Sequence, residues 1–258
     1  MLPRIARLVP SLTELVVELG LGERLVARTG YCIHPAEALR GVPKVGGTKD
    51  VNLAKLRRLA PSHVLVNVDE NRRDTVDALR AFVPHVLVTH PCDPEDNLAL
   101  VAQMRAAFAD VDGVASRADA LQHALSAELD ATRAAGRPQR RVLYLIWRDP
   151  WMTVARDTYI SRMLARVGWQ TLPARDGGPS GAARYPVVGG DEPWLREVDR
   201  VLLSSEPYRF DDGHRALARG LCPTAQVQLV DGERLSWYGP RAVSGLRYLR
   251  QLAEADRP

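Results

Sequence analysis

The sequence predicts an α/β protein of two lobes, each built on a mainly parallel sheet, joined by one long helix. Three observations carry that reading. Short, continuously apolar runs such as HVLVN at 63–67, HVLVT at 85–89 and RVLYLIW at 141–147 alternate with amphipathic stretches, the pattern of strands buried on both faces. Residues 113–135 set Val114, Ala118, Leu121, Leu125, Leu129 and Thr132 three and four apart on one helical face. Arg117, Asp119, Glu128, Asp130 and Arg133 fall on the other face, and Gly136-Arg137-Pro138 stops the helix after about 34 Å. The order of elements before this helix also returns after it. LAPSHVLVNVDEN at 59–71 and REVDRVLLSSEP at 196–207 both run from a helix end through a buried strand into a carboxylate. The expected division is an N-terminal lobe at 1–112, a bridging helix at 113–136 and a C-terminal lobe at 137–258.

In chain order, RIARLV at 4–9 reads as the first strand. Ser11 with Glu14 three residues on reads as a capping box for a helix that closes at Gly20. RLVARTGY at 24–31 is a second strand, 32–50 an irregular segment punctuated by Pro and Gly, and 52–59 a helix capped by Asp50 or Asn52. The strand at 63–67, a helix at 71–82, the strand at 85–89 and a helix at 94–109 complete the first lobe. In the second, a strand at 141–147 leads to a helix at 157–167 closed by Gly168, a short strand at 169–172 and a glycine-rich passage at 174–190. Helices at 192–198, 212–219 and 240–253 then alternate with strands at 200–204 and 226–230.

Composition narrows the function classes. With 46% hydrophobic and 26% charged residues among 258, the chain buries a sizeable core and is not disordered. No apolar run reaches the roughly 20 residues of a bilayer span, and MLPRIARLVPSLTE has no signal-peptide core, so the expectation is a cytoplasmic protein, or a periplasmic one whose export signal has been removed. A net charge of +4, carried mostly by Arg and without basic runs that interleave aromatics, argues against nucleic acid. Cys32, Cys92 and Cys222 are widely spaced and odd in number, which argues against a disulfide framework. GGTK at 46–49 lacks the spacing of a phosphate loop, and G-x-S-x-G, H-E-x-x-H and C-x-x-C are absent.

The stretches VPSLTELVVELG, YCIHP, PKVGGTKDVNLAKLRRLAPSHVLVN and VLYLIWRDPWMTVARDTYISRMLARVGW resemble the cobalamin and iron-siderophore binding proteins of ABC importers, the helical-backbone metal-receptor family. The resemblance covers nearly the whole chain and is closest to a signal-less, cobalamin-binding branch in which motifs like YCIHP, VGGTK, EEN, YLIWR and EPYPF recur, the third and fifth of which read DEN and EPYRF here. It implies a cleft between the lobes that holds a metal chelate, a cobalamin-like corrinoid or an iron siderophore or haem. It further implies a monomer with no cofactor of its own, and a carboxylate on each lobe that docks on an ABC permease. Two departures stand out. Asn67 occupies the place of a tryptophan after a lobe-one strand of the cobalamin binder, and the lobe-one docking carboxylate aligns near Arg73, with Asp69 and Glu70 beside it.

Candidate site residues follow. In open parallel sheets ligands bind beyond the carboxyl ends of the strands, which puts Asp69, Glu70 and Glu206 on the rims, as docking carboxylates or as solvated loop acids. Cys32 and His34, two apart on an extended segment, read either as a buried thiol beside a site-lining imidazole or as ligands to an already chelated metal. Tyr31, Lys49, Asn67, Glu70 and Asn71 complete the expected ligand contacts of the first lobe. Trp147, Trp151, Tyr185, Tyr208, Trp237 and Tyr238 are grouped in the second at loop positions or strand ends, where aromatic faces hold a large planar ligand; all but Tyr208 enter the predicted contact set. Arg148 pairs either with an anionic group of the ligand or with Asp149 or Glu192. Trp169 and Trp194 read as core, His63 and His85 as structural, and His90, His123 and His214 as surface residues. The enzymatic alternative is a chelatase or corrinoid-handling enzyme that works through His34 with Glu70 or Glu206.

Overall fold

The computed structural model describes residues 2–133 and 136–255. Ala134 and Ala135, the end of the expected bridging helix, lie outside the described residues. The chain forms two compact units. One comprises the residues up to Pro91, Asp96–Ser126 and Tyr238–Arg241; the other comprises Cys92–Glu95, Ala127–Trp237 and the residues from Ala242 on.

The first unit holds strands β1 (Ile5–Arg7), β2 (Leu25–Arg28), β3 (His63–Asn67) and β4 (His85–Thr89) in the order β2-β1-β3-β4, all parallel. Helices α1 (Pro10–Glu18), α2 (Leu53–Arg58), α3 (Arg73–Arg80) and α4 (Asp96–Ala107) connect or follow them. Ala6, Ala27, Val64 and Val66 of the strands pack with Leu56 of α2 and Leu79 of α3 in one buried cluster, while Ile5 and Leu65 are equally buried. Both faces of the sheet are therefore covered, as the continuously apolar strands require.

Local chemistry sets the helix ends, with one departure from expectation. Ser11 and Glu14 do not form a capping box, because Val9 is the N-cap and Pro10 takes the first helical position, where a missing N–H costs nothing. Ser11 is buried inside α1, and Glu14 pairs with Arg241 at 2.8 Å. Gly20 closes the turn in the left-handed region at φ +77. Asn52, not Asp50, caps α2, accepting from the Lys55 amide at 2.8 Å.

Helix α5 (Val114–Ala131) is shared by the two units, and the six apolar positions expected on one face, from Val114 to Thr132, are all buried. The second unit repeats the arrangement of the first. Strands β5 (Arg140–Leu145), β6 (Trp169–Thr171), β7 (Arg200–Ser204) and β8 (Gln226–Val230) run parallel in the order β6-β5-β7-β8. Helix α6 (Tyr159–Ala165) is capped by Thr158, and α7 (His214–Leu221), α8 (Gly232–Ser236) and α9 (Arg241–Glu254) follow. The expected helix at 192–198 is a 3-10 turn, Pro193–Glu197, and α8, which no periodicity signals, is only five residues and little more than one turn long.

Candidate functional site

Each sheet reverses its winding at one place: the chain leaves β1 for β2 on one side and reaches β3 on the other, and β5 stands likewise between β6 and β7. Such switch points open a crevice beyond the carboxyl ends of the strands. In the first unit, the β1–β3 crevice is bordered by Leu8 to Ser11 and by Val68 to Asn71.

The first rim is a turn cross-linked by hydrogen bonds. The Asn67 amide donates to Asn71 Oδ1 at 2.9 Å and the Asp69 amide to Asn67 Oδ1 at 2.8 Å. Asn71 Nδ2 in turn donates to the carbonyls of Thr48 at 2.9 Å and Leu8 at 3.4 Å. Asn67 and Asn71, expected among the ligand contacts, are thus buried and engaged in tying the turn to β1 and to the 46–49 loop. Lys49 Nζ donates to the Asp69 carbonyl at 2.6 Å, and the Asp69 carboxylate lies 3.4 Å from His90 Nε2. His90, expected at the surface, is therefore part of this rim. Tyr31 and Ile33 are 65% and 52% exposed, and the Tyr31 ring lies over Gly47.

Cys32 and His34 differ in burial. The Cys32 thiol has no exposed surface and lies 3.1 Å from the Thr29 hydroxyl, whereas His34 is half-buried. The buried-thiol reading of Cys32 fits this geometry, and no cluster of three or more metal-ligating side chains occurs among the described residues. Close to Cys32, Arg7 is fully buried at the end of β1; burial pushes its pKa down to about 10, and its Nη1 donates to the Thr13 carbonyl at 3.2 Å.

Tyr238, read in sequence with the second lobe, packs in the first unit. The Gly239 amide donates to Asn97 Oδ1 at 2.6 Å and anchors the segment there. Burial, then the charges of Glu70 and Asp69, raise the Tyr238 phenol well above its ordinary value, with the hydroxyls of Ser11 and Thr89 beside it. It therefore stays a neutral phenol at the base of the rim.

The second rim, at the β5–β7 crevice, is aromatic. Trp147 follows β5 and is 41% exposed, its ring edge-on to Tyr208 at 5.6 Å. Trp151 stacks on Phe210 at 5.9 Å with 11° between planes, and the Arg148 guanidinium lies 5.5 Å over Trp151. Trp151 thus packs against the core through Phe210, and Arg148 has its Nε 3.8 Å from Asp149. Tyr185 is half-buried, and Val187 beside it is 56% exposed.

Glu206, expected on the rim as a docking carboxylate or a solvated loop acid, is tethered by hydrogen bonds. One carboxylate oxygen accepts from both Ser236 Oγ and Trp237 Nε1, each at 2.6 Å, while Ser204 Oγ donates to the Glu206 carbonyl at 2.6 Å. Tyr144 extends the line, donating to Ser204 Oγ at 2.9 Å, and burial holds its phenol protonated. Trp237 is correspondingly buried, at 9% exposure, and is a wall of this network more than an open face.

Two further features were invisible in the sequence. His214 is not a surface residue: its side chain is 14% exposed and sits between Tyr208 and Asp211. Asp157 accepts the amides of Gly177 and Gly178 at 2.8 Å each and lies 3.9 Å from the buried Arg184, which fixes the glycine-rich passage. A Cβ on Gly177 would meet the Arg184 backbone, so that position admits only glycine. Trp169 and Trp194 lie in or against the core as expected, and His63 and His85 stack on one another at 4.5 Å.

Two parallel α/β units sharing one helix, each with a switch-point crevice, define the architecture of a periplasmic binding protein. The profile of that family, described as periplasmic binding protein, matches residues 5–197, and the chain belongs to it. Among curated relatives, the vitamin B12-binding protein of Photorhabdus laumondii is 24% identical over 201 residues, 78% of this chain and 70% of that protein. Among solved structures, the periplasmic vitamin B12 binding protein of Vibrio cholerae superposes with a TM-score of 0.81 at 20% identity, covering 98% of this chain and 97% of that one. A periplasmic haem binding protein from Pseudomonas aeruginosa gives a TM-score of 0.80 at 21% identity, over 100% and 95% of the two chains. At these identities the structural likeness establishes the fold.

Proposed function

We propose that this chain is a binding protein for a metal chelate with a flat ring, of the cobalamin type, which it delivers to an ABC permease. The observation that carries this reading is the Trp147 indole, exposed at the second switch point in a chain of the periplasmic binding protein family. An exposed tryptophan face is costly in water and suits a planar ring that covers it. Relatives and structural neighbours named for vitamin B12 and haem support the same ligand class.

The contacts proposed on the first unit are Tyr31, His34, Lys49 and Glu70, with Asn67 and Asn71 holding the turn that presents them. On the second they are Trp147, Arg148, Trp151 and Tyr185. Asp69 and Glu70 are the proposed docking carboxylates of the first unit, and Glu206 that of the second, held in place by Ser236 and Trp237. Binding without chemistry fits the tethered Glu206, which is poorly placed to move protons for a chelatase. No helix among the described residues is long and apolar enough to cross a membrane. The test is fluorescence quenching with hydroxocobalamin and with haemin. Saturable quenching by the corrinoid at micromolar concentration is expected, and quenching by neither compound overturns the proposal.

A further inference from the structure

The two residues past β5 open a small antiparallel ribbon: Trp147 bridges Met152, and Met152 bridges Val187. The Met152 amide donates to the Trp147 carbonyl at 3.1 Å, and the Ile146 amide to the Met152 carbonyl at 3.0 Å. On the far side of Met152, the Thr153 amide donates to the Pro186 carbonyl at 3.0 Å and the Val188 amide to the Trp151 carbonyl at 2.8 Å. Those two bonds flank Met152 and Val187, which makes them a non-hydrogen-bonded pair, the kind whose side chains approach most closely. The Ala155 amide continues the ladder, donating to the Arg184 carbonyl at 2.8 Å. Residues directly opposite one another share a face, and neighbours in sequence take opposite faces. Trp151 and Val188 fall on the inner face, where they join the hydrophobic core of the second unit. Trp147, Met152 and Val187 fall on the outer one, and Tyr185, two residues before Val187, falls with them.

This outer face is open and apolar. Trp147 is 41% and Val187 56% exposed, with Met152 half-buried between them. Neighbouring strands lie about 4.8 Å apart, so the three side chains make a strip about 10 Å across. The one charged side chain on the segments 146–147, 151–155 and 184–188 is Arg184, which is buried and lies 3.9 Å from Asp157. We propose that Met152 and Val187 are specificity-determining residues of the chelate site, which extend the Trp147 face into a strip that accepts the hydrocarbon face of a tetrapyrrole macrocycle and rejects a chelate with a polar surface, such as an open-chain hydroxamate. The inference rests on the chelate-binding reading above. Desolvation is the physical cause: a polar group laid on three apolar side chains loses its water and finds no partner, whereas a macrocycle face leaves only unfavourable contact with water. The ladder of backbone hydrogen bonds fixes the strip before a ligand arrives, so no ordering of this backbone opposes binding.

The probes are hydroxocobalamin, haemin and ferrioxamine B, an open-chain hydroxamate chelate, each titrated by tryptophan quenching. Wild type is expected to bind a tetrapyrrole at least about tenfold more tightly than ferrioxamine B. Val187→Thr and Met152→Gln keep the size of the side chain and put a polar group on the strip. Each is expected to weaken binding of that tetrapyrrole by about tenfold, the effect of covering one polar group that finds no partner. Val187→Thr, at an exposed position, is expected to leave the urea unfolding midpoint at the wild-type value, which separates a contact with the ligand from a structural role. Wild-type affinity in both variants, or an affinity loss in Val187→Thr that comes with a lowered midpoint, overturns this inference alone. So does ferrioxamine B bound by wild type as tightly as the tetrapyrrole. Failure of wild type to bind either tetrapyrrole overturns the chelate reading and this inference with it.

Discussion

The indole Nε1 of Trp237 donates to a carboxylate oxygen of Glu206 at 2.6 Å, and the same oxygen takes the Ser236 hydroxyl. An acid read as a docking group is thereby also a structural one. Glu206→Ala is expected to destabilise the fold by about 1–3 kcal/mol, since it leaves a buried indole N–H without its acceptor. Urea unfolding measures this. A loss below about 0.5 kcal/mol, the usual effect of a surface substitution, would show that the two hydrogen bonds contribute little.

The difference between what the sequence revealed and what it hid lies in the range of the interactions. Strands such as 63–67 and 200–204 are continuously apolar, and parallel burial follows from that pattern alone. The buried face of α5 was equally legible, because periodicity is local. The Glu206–Trp237 bond joins residues 31 positions apart, and Tyr238 packs in the first unit although its immediate predecessor belongs to the second. Neither relationship leaves a local signal. His214 was missed for a smaller reason. An Asp three residues before a His looks like any helix start until the Tyr208 hydroxyl is found against the ring.

The 46–49 loop depends on a backbone that only glycine adopts comfortably. Gly46 has φ +104, and a Cβ there would run into the Asp50 carbonyl. The loop also supplies the Thr48 carbonyl that holds Asn71. Gly46→Ala is therefore expected to cost about 1–3 kcal/mol. It should also loosen the Val68–Asn71 turn, seen as faster amide exchange at Asn67 and Asp69. Wild-type exchange in the variant would separate the loop from the turn.

Acid sensitivity is expected at the amino end of the first sheet. Burial, then the charge of neighbouring His85, holds the His63 pKa below 6.5. The folded state consequently binds fewer protons than the unfolded one in the window between the lowered pKa and about 6.5, so stability rises with pH there. The contribution is complete above that window and is lost as pH falls through it. His63→Phe removes the titration and keeps an aromatic ring against Phe108, which lies 4.9 Å away. Unfolding midpoints between about pH 8 and about pH 5 should fall less in the variant than in wild type. Equal falls would assign the acid sensitivity elsewhere.

Two tryptophans of the second rim should separate by what each touches. Trp147 is 41% exposed and makes an edge contact with Tyr208, whereas Trp237 is 9% exposed and bonded to Glu206. Trp147→Ala removes an open face and little packing, so stability should change by less than about 1 kcal/mol. Hydroxocobalamin affinity should fall by about 1–3 kcal/mol if the corrin covers that face. Trp237→Ala empties a buried site and leaves Glu206 without one of its donors, so it should cost about 3–5 kcal/mol of stability. Its effect on affinity should be smaller than that of Trp147→Ala once the variant is folded. Calorimetric unfolding and fluorescence quenching on both variants measure the two quantities independently. Unchanged affinity in Trp147→Ala would remove ring stacking at β5 from the binding site, and a greater affinity loss in Trp237→Ala would transfer the ligand contact to the Glu206 network.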